Sequence, residues 1–151
     1  MYGRPYSLTA SFSTTGGKTL LLVESSSSRM LLLSHLRVGN QNNNTAERWQ
    51  VVVTRVTTKG TPAGTSVSAK PLRNNDAAAG LTALANLTTE PTTYEGDHLL
   101  NFGESSLVGV RWQTYPGSEI LVPPSGLIGI RMLNTIATTT VVVHAIVHEV
   151  P

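Results

Sequence analysis

Apolar and polar residues alternate along most of this chain with a period of two. Runs of Val, Leu, Ile and Thr recur from end to end between clusters of Gly, Pro, Asn and Ser, and no long apolar stripe of helical period interrupts them. The pattern predicts strands near Ser7–Ser13, Lys18–Glu24, Met30–Val38, Arg48–Thr58, Thr65–Ala69, His98–Phe102, Leu107–Tyr115, Glu119–Val122, Leu127–Leu133 and Thr138–Val150. Turn residues such as Gly16-Gly17, Gly39-Asn40, Pro116-Gly117 and Pro123-Pro124 separate them.

Successive side chains of a strand point to opposite faces, so each run can be assigned a dry side. Met30, Leu32, Leu36 and Val38 make the better core face of their run, against Leu31, Leu33, His35 and Arg37. Val108, Val110 and Trp112 oppose Gly109, Arg111 and Gln113, while Ile128, Ile130 and Met132 oppose Gly129 and Arg131. One wet and one dry face per strand belongs to antiparallel sheets packed face to face. The expected fold class is therefore all-β, a jelly roll or antiparallel β-sandwich, with residues 1–151 forming a single domain. Thr138–Val150 is apolar on both faces over half its length, which predicts a central strand or one covered by a neighbouring subunit. Oligomerisation follows as an expectation.

Two segments fall outside this scheme. Residues 1–6 read as an N-terminal arm, and residues 70–93 as a long connecting loop, in which Asp76 is placed to cap a short helical turn that Gly80 would limit.

Composition sharpens the picture. Charged residues make up only 13% of the chain, about half the usual share, and Ser, Thr and Asn take their place. A surface poor in Lys and Glu resembles protein interfaces in composition. The net charge is +2, and Arg4, Arg29, Arg37, Arg48, Arg55, Arg73, Arg111 and Arg131 are scattered singly, so the basic pI of 9.2 predicts no nucleic-acid partner. The absence of cysteine excludes disulfides and thiolate metal sites. No stretch has the length of a membrane span or the apolar core of a signal peptide, so no membrane partner and synthesis in the cytosol are expected.

Candidate chemistry is sparse. His144, His148 and Glu149 are the main group of ligand-capable side chains, and on a strand the two histidine α-carbons lie ~13 Å apart, too far for one metal ion. His35 and His98 stand alone. No nucleophile elbow, Walker lysine or dinucleotide fingerprint occurs. A metal-dependent cupin-like enzyme is thus the weakest of the readings, and no catalysis, metal or cofactor is expected. Recognition has better candidates in Tyr2, Arg4 and Tyr6 of the arm, Arg73 of the loop, and Trp112 and Tyr115 beside the Pro116-Gly117 turn, because Tyr, Trp and Arg are enriched at binding hot spots. For Trp112, core packing beside Val110 is the competing role.

From Lys70 to Pro151 the order of features resembles the jelly-roll decoration, or cement, proteins of tailed-bacteriophage capsids. The matching elements are Lys70-Pro71-Leu72-Arg73 running into Asp76-Ala77-Ala78-Ala79, the aromatic strand Val110–Tyr115, the stretch Pro116-Gly117-Ser118-Glu119-Ile120-Leu121-Val122-Pro123-Pro124-Ser125-Gly126-Leu127, and a Thr/Val-rich strand closing on His148-Glu149. The resemblance implies a protein of the virion exterior that binds the major capsid protein, commonly as a homotrimer. The alternative expectation is a receptor- or glycan-binding head of a phage fibre.

Overall fold

The computed structural model of the protein describes residues 3–42 and 45–151. Among these, eleven strands build one continuous antiparallel hydrogen-bonded network. They are β1 (Arg4–Glu24), β2 (Met30–Asn40), β3 (Arg48–Thr58), β4 (Ala63–Ser66), β5 (Lys70–Pro71), β6 (Thr82–Thr89), β7 (Thr93–Tyr94), β8 (Leu100–Ser105), β9 (Val110–Gln113), β10 (Ile120–Val122) and β11 (Leu127–Val150). No helix forms among the described residues, and none is long and apolar enough to cross a membrane. The all-β sandwich expected from the alternation is the observed architecture.

Its backbone is the long ribbon of β1 and β11, paired from Arg4↔Glu149 to Glu24↔Leu127. The ribbon passes from one layer of the sandwich to the other. In the front layer β2 pairs with the second half of β11, β9 and β10 extend β2, and β5 joins β1. In the back layer β3 pairs with the first half of β11, β6 with the second half of β1, and β4, β7 and β8 lie outside them. One core fills the space between, with Leu8, Leu36, Val143 and Val147 from the front meeting Val23, Val51, Val53 and Ile130 from the back, all at most 1% exposed. Full burial of such side chains is worth about 1.5–3 kcal/mol each.

Two strands are longer than the sequence suggests: glycines bend β1 where a break was expected, and β11 runs on through residues 134–137 without one. Gly16 and Gly17 have positive φ, at 71° and 65°, and the register with β11 shifts on both sides of Gly16. Ser7–Ser13 and Lys18–Glu24 are thus halves of β1, and Leu127–Leu133 and Thr138–Val150 halves of β11. Residues 4–6 are no free arm, since they pair with 147–149. Part of the expected 70–93 loop is also strand. Thr82–Thr89 pairs with both β1 and β4, its Ala-Leu-rich sequence having disguised a strand whose Ala83, Ala85 and Leu87 are buried. Asp76 caps no helix, and its amide donates to the Arg73 carbonyl within a turn.

Two assigned faces need correction. In β2 the buried residues are Leu31, Leu33, Leu36 and Val38, so the dry side changes parity midway. The cause is a bulge at Ser34, where His35 opposes Ile146 but Leu33 opposes Val147. In the second case Val108 is 81% exposed, because the chain turns between Ser105 and Gly109 before β9 begins. The apolar both-sided run of β11 is explained by centrality, since it lies between β1 and β2.

Candidate interaction face

The outer faces of the two layers differ. The back one is covered by the chain itself. Leu87 is 2% exposed and packs with Leu22 and Leu127, and the segment that follows brings Glu90 and Tyr94 over Thr19. Glu90 Oε1 accepts from the Thr19 amide at 2.8 Å, and Glu90 Oε2 from the Tyr94 hydroxyl at 3.0 Å, while the Thr19 hydroxyl bonds both partners. Arg131 stacks on the Tyr94 ring at 3.9 Å. Burial, the largest influence, pushes the Tyr94 phenol well above its ordinary pKa.

The front outer face has no such cover among the described residues. Strand register sets its side chains in rows, because directly opposed residues of an antiparallel pair share a face. One row runs Arg111, Arg37, His144, Thr9, and the next Gln113, His35, Ile146, Ser7. Beyond the bulge come Leu121, Leu32 and His148. Arg37, Arg111, Gln113 and Thr9 are exposed, His35, His144, Ile146 and Val142 half-buried, and Leu121 is 45% exposed. Lys70 of β5 extends the face beyond Ser7.

Histidine geometry on this face is specific. The rings of His35 and His144 meet edge to face with centroids 5.5 Å apart. His144 Nε2 bonds Ser7 Oγ at 3.1 Å, and His148 Nε2 bonds Ser34 Oγ at 3.0 Å, at the bulge. Burial is the largest influence on all three, and it lowers each pKa below the usual 6.5. His144 and two arginines lower that of His35 further, and Arg37 that of His144; at His148 the pull of Glu119 opposes burial. His144 and His148 therefore have separate partners, and no three of the described His, Asp and Glu side chains converge as a metal-binding group.

The remaining recognition candidates divide. Arg4 and Arg73 come together in a cleft of about 430 Å³ at one end of the sandwich, with Arg29, Asp76 and Glu149. Arg29, which no sequence signal singled out, binds Glu149 at 3.0 Å. Tyr6 is fully buried and its hydroxyl donates to the Ala77 carbonyl at 2.8 Å, so it is a core residue and not a contact. Trp112 shares its row with Leu36 and packs half-buried against the core. Tyr115 stands 84% exposed on its turn, and Tyr2 lies outside the described residues. Arg37, Arg111 and His35, absent from the candidates, could have been found only by knowing which strands adjoin.

No protein-family model, curated protein or solved structure matches this chain.

Proposed function

We propose that this chain is a non-catalytic structural protein of a virion, a decoration or cement protein that sits on the exterior of a tailed-phage head as a homotrimer and clamps neighbouring major capsid subunits. The observation that carries this reading is the contrast between the two outer faces. The outer face of the back layer is closed at Thr19 by Glu90 and Tyr94, which follow β6, with Arg131, whereas the front layer leaves a sheet face of Arg37, Arg111, His35, His144, Val142 and Ile146 without a cover among the described residues. Half-buried apolar residues mixed with arginines suit a protein contact surface. The resemblance over Lys70–Pro151 supports the same role. A trimer would engage several capsid subunits at once, so one attached copy raises the effective concentration of the next.

Light scattering followed by co-sedimentation with mature heads stripped of the protein tests the proposal. A trimer that pellets with the heads is the expected result. A monomer left in the supernatant would contradict it.

The fibre-head alternative is favoured by one observation, the exposure of Tyr115, since exposed aromatic rings stack on sugars. A glycan array without signal, together with unchanged host adsorption when the protein is blocked, would end that reading.

A further inference from the structure

The front face has a concave spot at its upper edge. Arg37, Gly39, Asn40, Gln41, Val142 and His144 line a slot of about 250 Å³. Val142 is its apolar side chain, and Arg37, Asn40, Gln41 and His144 bring polar groups to it. Arg37 is exposed and forms no ion pair among the described residues. The Gln41 Oε1 atom accepts from Ser11 Oγ at 3.1 Å, which leaves the amide NH2 as the free end of that side chain. His144 is held by Ser7 through Nε2, leaving Nδ1. Gly39 lines the slot without a side chain, and a Cβ built there would meet nothing within 4 Å. Packing therefore does not demand glycine at this position, and its backbone is not in the positive-φ region.

We infer that this slot is a carboxylate socket, which receives an Asp or Glu side chain from an acidic surface of the partner protein. Charge selects that occupant. The rows around the slot present Arg37, Arg111, His35 and His144, and β1 contributes only Ser7, Thr9 and Ser11 to them. No carboxylate stands in these rows, and the nearest charge effect from one, Glu119, falls on His148. A guanidinium binds a carboxylate in a planar two-pronged fit, the Gln41 amide adds a donor, and His144 adds one at Nδ1 in the tautomer whose Nε2 accepts from Ser7. The volume holds one such side chain with a few waters at roughly 30 Å³ each. A polynucleotide fits less well, because the rows offer no Phe, Tyr or Trp ring for base stacking, the His35 and His144 rings meet each other edge to face, and Val142 and Ile146 interrupt the basic groups.

The inference deepens the decoration reading and names the chemistry of its partner surface, so the test separates the two. Poly-L-glutamate titrated into the protein at low salt is the first probe, with duplex DNA beside it. Three variants accompany the wild type. Arg37→Glu reverses the charge, Gly39→Val fills the slot in a strand that tolerates a β-branched residue, and Arg48→Glu makes the same charge change on the other layer. The expected result is that Arg37→Glu and Gly39→Val each weaken polyglutamate binding roughly tenfold or more, that Arg48→Glu leaves it within about twofold, and that thermal melts show both slot variants folded. Equal weakening by Arg48→Glu, wild-type binding by both slot variants, or tighter binding of DNA through the same residues would overturn the socket. Stripped heads are the second probe. Heads that retain wild type but release both slot variants support the socket, and heads that retain all three equally overturn it. Heads that retain no protein at all defeat the decoration reading, and the polyglutamate result then decides the socket alone.

Discussion

At the scale of single residues, Glu149 is the most deeply buried charged group described, at 2% exposure. It is tolerated there because it is satisfied. Oε1 accepts from the Gly80 amide at 2.7 Å and Oε2 from Arg29 at 3.0 Å, so the carboxylate ties the connecting segment and the β1–β2 turn to the last strand. Glu149→Ala leaves a buried amide and a guanidinium without their acceptor and should cost about 2 kcal/mol, read as a lowered urea midpoint. Glu149→Gln keeps an acceptor for Gly80 and should cost less. The three front-face histidines set a pH dependence. Their folded pKa values lie below the unfolded 6.5, so the unfolded chain binds protons that the folded one refuses. Their contribution is fully present above pH 6.5 and is lost as pH falls through the lower folded values. The melting temperature should drop as pH falls from 7.5 to 5.5, and the His35→Gln/His144→Gln pair should flatten that drop; an unchanged slope would place its origin elsewhere.

At the scale of elements, the corner of β1 decides whether two layers can share one ribbon. A Cβ on Gly16 would collide with the Asn134 carbonyl, and φ at that residue is 71°, so both space and backbone require glycine. Gly17 has a similar φ but open surroundings, its Cβ meeting only Thr135 Oγ1 at 3.9 Å. Gly16→Ala should therefore destabilise by more than about 2 kcal/mol and Gly17→Ala by about 1 kcal/mol, which parallel denaturation curves resolve. Equal losses would mean that strain alone, and not the contact with Asn134, sets the cost. The same corner explains what the sequence did and did not disclose. Alternation of apolar residues reveals strands such as Ile128 to Met132, because it reflects which face meets the core. It cannot distinguish a bend at glycines in β1, or the polar Asn134 and Thr135 within β11, from a turn, and so β1 and β11 read as four strands. A bulge at Ser34 inverts parity without leaving a compositional mark, so Met30 and Leu32 looked like core. In Thr82–Thr89 alanines and leucines favour helix locally, and pairing with β1 and β4 overrides them.

At the scale of the whole molecule, the sandwich is finished on one side and, among the described residues, open on the other. The candidate face shows why fold was more legible than site. Arg37, Arg111 and His144 lie far apart in sequence and become neighbours only through the order β9-β2-β11, which no local pattern encodes. Arg4 and Arg73, which the sequence did suggest, meet in the end cleft because β5 pairs beside β1 at Tyr6 and Ser7. Whether a partner covers the front face is read by diethylpyrocarbonate footprinting of the histidines on and off stripped phage heads. His98, bonded to Thr54 on the back layer, serves as internal reference. His35 and His144 should react in the free protein and be protected on heads, while His98 keeps its reactivity. Unchanged labelling of His35 and His144 on protein that pellets with the heads would contradict coverage by a partner.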